Sequence, residues 1–99
     1  MRAKPMKLVF GEGYIPCEVG EATHVQLHCP GPFPNRFIPI GAGGWEWNRN
    51  VDRPTLTPSI LSSGGGPVCH SFVNDGKIQF LTDCTHEFAG QTLDLLEVD

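Results

Sequence analysis

Three of the four cysteines in this 99-residue chain have a histidine beside them or one residue away: His28-Cys29, Cys69-His70 and Cys84 with His86. Thiolate sulfur and imidazole nitrogen are the donors that zinc prefers, four of them in a tetrahedron. The candidate ligands are therefore His28, Cys29, Cys69, His70, Cys84 and His86. Cys17 and His24 lack such a coupling and read as a small buried hydrophobe and a surface imidazole. Neighbours on a strand point to opposite faces. Each adjacent pair should then give one ligand, which predicts a set of Cys29, Cys69 or His70, Cys84 and His86, with the unused member of each pair left to support the site or do chemistry. Zn²⁺ is the expected metal, and iron accepts the same donors.

A hydrolytic site also needs a nucleophile and a base. Asp83 is the carboxylate nearest the cluster, and His70 can move a proton. Ser59, in Thr57-Pro58-Ser59, offers a hydroxyl. The candidate catalytic residues are Ser59, Asp83 and His70; Glu87 and Ser71 are weaker. Trp45 and Trp47 share one face of an extended stretch and read first as core.

The rest of the chain must hold these groups in place with little material. Its length makes one domain, residues 1–99. There are 12 glycines and 9 prolines, and the net charge is −4. A domain so small and loop-rich gains much from a metal staple. The charge balance lacks the basic stripe that nucleic-acid binding needs, and no apolar run reaches the roughly 20 residues that span a bilayer. The basic start is followed by only Leu8-Val9-Phe10, short for a secretory signal. These features predict a cytoplasmic protein, in a compartment where thiols stay reduced and clustered Cys and His favour metal over disulfide.

Periodicity predicts a mainly β fold of about five to seven short strands, in a compact sheet or barrel-like arrangement with a long Gly/Pro-rich middle loop. Strands are expected near 6–10, 14–19 and 22–28, with brief extended pieces at 37–40, 45–48 and 58–62. Asp75-Gly76 between two alternating runs predicts a type I′ hairpin over about 68–82. Gly64-Gly65-Gly66-Pro67 marks a break. One helical turn is expected over 83–90 and a last strand over 92–98.

Five blocks carry a resemblance: Leu27-His28-Cys29-Pro30-Gly31, Trp45-Glu46-Trp47-Asn48, Arg53-Pro54-Thr55-Leu56-Thr57-Pro58-Ser59-Ile60, Cys69-His70-Ser71-Phe72-Val73, and Asp83-Cys84-Thr85-His86 continuing through Ala89-Gly90-Gln91-Thr92. In this order, over roughly residues 24–95, the chain resembles a family of small proteins common in phage and prophage genomes. Members often carry the label "ammonia monooxygenase", although nothing in this chain resembles a membrane-embedded copper oxygenase. That family is similar to small zinc proteins found beside bacterial ubiquitin-like conjugation genes, for which a peptidase role has been proposed. The resemblance implies a compact β domain with a Cys/His zinc site and hydrolytic activity. It places metal on His28, Cys29, Cys69, His70, Cys84 and His86, and catalysis more weakly on Ser59 and Asp83. Pro32 stands where the family pattern has a second cysteine, and Glu87 where relatives have a small residue.

The leading expectation is a zinc-dependent peptidase acting on a protein tail or ubiquitin-like conjugate, with zinc polarising the carbonyl or activating water. The alternative is a zinc-stapled protein-binding module without catalysis. A site with four protein ligands fits the module, and an open coordination position fits the enzyme.

Overall fold

The computed structural model describes residues 1–63 and 66–98. Gly64 and Gly65 of the expected break lie outside them. Among the described residues nine strands form two antiparallel sheets, more than the five to seven expected, because all three brief extended pieces of the Gly/Pro-rich middle pair into sheets. The first sheet has the order β2-β1-β3-β4, from β1 (Lys4–Val9), β2 (Gly13–Pro16), β3 (His24–His28) and β4 (Asn35–Pro39). The second has the order β5-β6-β7-β8-β9, from β5 (Glu46–Trp47), β6 (Leu56–Ser62), β7 (Cys69–Asn74), β8 (Lys77–Phe80) and β9 (Thr92–Asp94).

Alternation explains the core. Val25 and Leu27 of β3 and Ile38 of β4 point inward from the first sheet; Leu56, Ile60, Val73, Ile78 and Phe80 point inward from the second. Together they form one buried cluster, so the sheets share a single interior. The β7–β8 hairpin turns through Asp75 and Gly76, both at positive φ (53° and 78°), as a type I′ turn requires.

Three expectations need correction. The stretch 14–19 ends its strand at Pro16 and continues into a short 3-10 turn, Val19–Glu21. Residues 83–90 form a series of turns rather than a helix, closed by Gly90 at φ 79°. The last strand stops at Asp94 because the chain then leaves the second sheet: Leu96 bridges His28 of β3, and the Val98 N–H donates to the Met1 carbonyl. The C-terminal segment thus ties the two sheets together.

Candidate active site and thiol cluster

β6 and β7 carry the first two groups of the site. His70 is the outward-facing neighbour of buried Cys69 on β7, and it lies opposite Leu61 of β6. Ser59 sits two residues before Leu61 and is half-buried. The register of β6 shifts between Leu56 and Ile60, so strict alternation with β7 is broken just where Ser59 lies. The result is that Ser59 Oγ reaches His70 Nε2 at 3.0 Å.

The third group arrives from the turn after β8. Asp83 Oδ2 is 2.9 Å from His70 Nδ1. With Nδ1–H donating to the carboxylate, Nε2 is left with its lone pair toward the Ser59 hydroxyl, which donates to it. His70 is mostly buried, its side chain 25% exposed, and Asp83 is open to solvent. A cleft of about 400 Å³ adjoins the pair, lined by His70, Leu81, Asp83 and Gly90 among others.

Each strand-adjacent partner faces the other way. Cys69 and Cys84 point inward, and with His86 they bring their ligand atoms within 4.8 Å of one another. Both cysteines are buried, and all four cysteines of the chain are free thiols. His86 Nε2 is buried without a partner, while Nδ1 accepts the Phe88 N–H at 3.2 Å. A metal on Nε2 would move the ring proton to Nδ1, so loading and the Phe88 contact exclude one another. Cys29 is buried in the same core and close enough for its charge to act on Cys69. Burial pushes the Cys69 thiol up to about 11, against the opposing pull of the Arg36 guanidinium. His28 turns away, its Nδ1 3.2 Å from the Glu97 carbonyl. The geometry therefore sorts the six expected ligands. Cys69, Cys84 and His86 converge, Cys29 lies beside them, His70 is engaged by Ser59 and Asp83, and His28 is elsewhere.

Two residues take places at the site that the sequence did not assign them. Trp45 packs against the core as expected, but its indole N–H also donates to the Ser59 carbonyl at 3.2 Å. Arg36 is buried on β4, donates to Ser62 Oγ, and leaves Nη1 without a partner. Its signal was legible: Arg36 and Ile38 alternate toward the interior, and a charge at a core-facing position calls for a reason.

The three buried donors fit a soft divalent metal. The Cys84 sulfur is held in place by the backbone of His70, accepting its N–H at 3.2 Å. The unpartnered guanidinium nitrogen of Arg36 beside Cys69 supplies positive charge next to it.

A hydroxyl, an imidazole and a carboxylate hydrogen-bonded in series on a small β scaffold define the serine-hydrolase class of site. Residues 2–81 match the model of a family described as bacterial ubiquitination-like system serine protease (BubE), and the chain belongs to that family. No curated protein and no solved structure matches it. Membership supports a peptidase role with protein substrates. No helix among the described residues is long and apolar enough to cross a membrane.

Proposed function

We propose that this protein is a serine peptidase that cuts a protein tail or a ubiquitin-like conjugate in the bacterial cytoplasm. The observation that carries the reading is the hydrogen-bonded series Ser59–His70–Asp83. Ser59 Oγ attacks the scissile carbonyl as Nε2 of His70 takes its proton. Asp83 holds the ring in the Nδ1–H form and steadies the imidazolium that results. His70 then gives the proton to the leaving amine, the C–N bond breaks, and an acyl ester remains on Ser59. A water, deprotonated by His70, hydrolyses that ester and restores the hydroxyl.

In this reading zinc has a structural place. Cys29, Cys69, Cys84 and His86 would hold it on the inner side of β7, and its chemistry there is to cross-link. The same metal would tie the segment before β4 to the turn after β8 and so fix both His70 and Asp83. This differs from zinc as the electrophile, because His70 cannot serve the metal and Ser59 together. The test is labelling by a fluorophosphonate probe. The wild-type chain should be modified at Ser59, Ser59→Ala should not react, and His70→Ala should react at least about a thousandfold more slowly. Wild-type protein that stays unlabelled, while it cleaves a ubiquitin-like fusion in a zinc-dependent way, would overturn the assignment.

A further inference from the structure

The edges of the two sheets meet beside Ser59. A second cleft, of about 350 Å³, is lined by β4 from Asn35 to Pro39 on one side and β6 from Ile60 to Ser62 on the other, with Phe33 and Trp45. The Arg36 guanidinium donates to Ser62 Oγ across it, so the two strands are joined at its floor. Trp45 closes one end, its N–H bonded to the Pro39 carbonyl and its indole to the Ser59 carbonyl.

Among the described residues, each wall has a backbone stretch without a partner strand, at Leu61 and at Phe37. On β7, the His70 carbonyl accepts from Leu81 and the His70 N–H donates to Cys84, so both point away from β6. Leu61, its partner, is therefore in a non-hydrogen-bonded pair, and its own N–H and C=O face the cleft. β5 pairs β6 only at Leu56 and Thr57, so among the described strands nothing pairs Leu61 on that side. The same alternation runs on β4. Cys29 donates to Pro34 and Ile40 to Thr23, which puts the N–H and C=O of Phe37 on the cleft side. No described strand pairs β4 there either.

We propose that this cleft takes the substrate's tail, the residues N-terminal to the scissile bond, as an added extended strand between β4 and β6. It would pair with Phe37 on one side and Leu61 on the other and join the two sheets into one. The inference rests on the serine-peptidase reading. The direction follows from the proton path. His70 must protonate the leaving amine, so the leaving group lies on the β7 side of Ser59. The acyl portion then lies on the opposite side, where the cleft is. Main-chain pairing supplies affinity for any sequence. A cleft of about 350 Å³ with the Trp45 ring in its wall suits an extended tail of small residues rather than a folded loop.

The experiment compares hydrolysis of acetyl-Ala-Ala-Ala p-nitrophenyl ester with that of p-nitrophenyl acetate. The tripeptide should be preferred in kcat/KM by at least about tenfold, and N-methylating its internal amides should remove the preference. Leu61→Pro deletes an N–H that no described strand uses. It should bring the tripeptide-to-acetate ratio toward one in protein whose melting transition is still cooperative. A wild-type ratio near one, or a preference that survives both N-methylation and Leu61→Pro, overturns the cleft assignment. If neither ester reacts, the triad reading is what has failed. The cleft is then judged alone in Ser59→Ala titrated with acetyl-Ala-Ala-Ala amide. Amide shifts confined to Leu61, Phe37 and their neighbours support it, and shifts elsewhere or none overturn it.

Discussion

The thiol of Cys84 is clasped by the backbone of His70. Its sulfur accepts from the His70 N–H at 3.2 Å and donates to the His70 carbonyl at 3.1 Å. Asp83 precedes Cys84 and grips the same histidine by its ring. One dipeptide thus holds the imidazole from the side chain and from the main chain, and the inner thiol cluster becomes part of how the outer site is aligned.

Cys84→Ala should therefore do two things. It removes one of the candidate metal donors, and it leaves a partly buried N–H unsatisfied, which costs about 1–3 kcal/mol even without metal. We expect bound zinc to fall from one per chain to near none, and Ser59 to react with a fluorophosphonate at least about tenfold more slowly. Cys84→Ser can restore the hydrogen bonds but not the soft donor. It should recover part of the labelling rate without recovering the metal, which metal analysis and labelling kinetics on one sample would resolve.

The outer groups should behave differently. Ser59→Ala and Asp83→Asn leave the interior untouched, since Ser59 is half-buried and Asp83 exposed. Both should keep zinc content and melting temperature close to wild type, while kcat falls by on the order of 10⁴ in Asp83→Asn and about 10⁶ in Ser59→Ala. A loss of zinc in either variant would mean that the two sites are not separate.

Replacing the metal asks where the chemistry sits. A structural ion can be exchanged for Co²⁺ with kcat changed by less than about twofold, whereas a catalytic one alters the bound water and with it the rate. Chelation should abolish activity only as fast as the fold loosens, so the loss of peptide cleavage and the loss of near-UV circular dichroism should share one time course.

Acid should weaken the edge of the second sheet. Lys77 and Asp94 are paired across β8 and β9, and the hydrogen bond and charge of Lys77 hold the Asp94 carboxyl below its usual range. A depressed folded value means that the pair's contribution is present above the ordinary carboxylate pKa and is lost as pH falls through the lower folded value. Asp94→Asn should lower the melting temperature slightly at neutral pH, slightly because both side chains are solvent-exposed, and should converge with wild type well below about pH 4, so that the fall with acid is flatter in the variant.

The chain announces some of this in its residues. The hairpin at Asp75-Gly76 is legible because Asp-Gly suits the positive φ that a type I′ turn needs at both positions, and β3 is legible because Val25 and Leu27 alternate with polar neighbours. The split of Cys69 from His70 follows from strand alternation, with the thiol buried and the imidazole facing out. What could not be read is the order in which the candidates Ser59, His70 and Asp83 hydrogen-bond, with the imidazole between hydroxyl and carboxylate. It depends on the irregular register between Leu56 and Ile60 and on a turn after β8 that has no periodicity to betray it. The proline-rich middle hid the start of β4, expected only over 37–40, for a related reason. Its strand begins directly after Pro34 and ends at Pro39, and the inward Arg36 breaks the apolar pattern that marks its face.

Trp45 gives the sharpest test of how the nucleophile is held. Its indole N–H donates to the Ser59 carbonyl, and its own backbone is fixed by Pro39 and Gly41. Beyond Thr57, β6 has no partner strand on that side among the described residues, so this bond stands in for a missing ladder contact. Trp45→Phe keeps an aromatic ring against the core and deletes the donor. The lost bond is worth about 0.5–1.5 kcal/mol. If it restrains Ser59 in the productive position, kcat for a small ester should fall by up to about tenfold while KM stays near wild type. A merely structural indole would lower the melting temperature and leave kcat of the folded protein unchanged. Trp45→His, whose ring can present an N–H again, should recover part of kcat if the hydrogen bond is what positions Ser59.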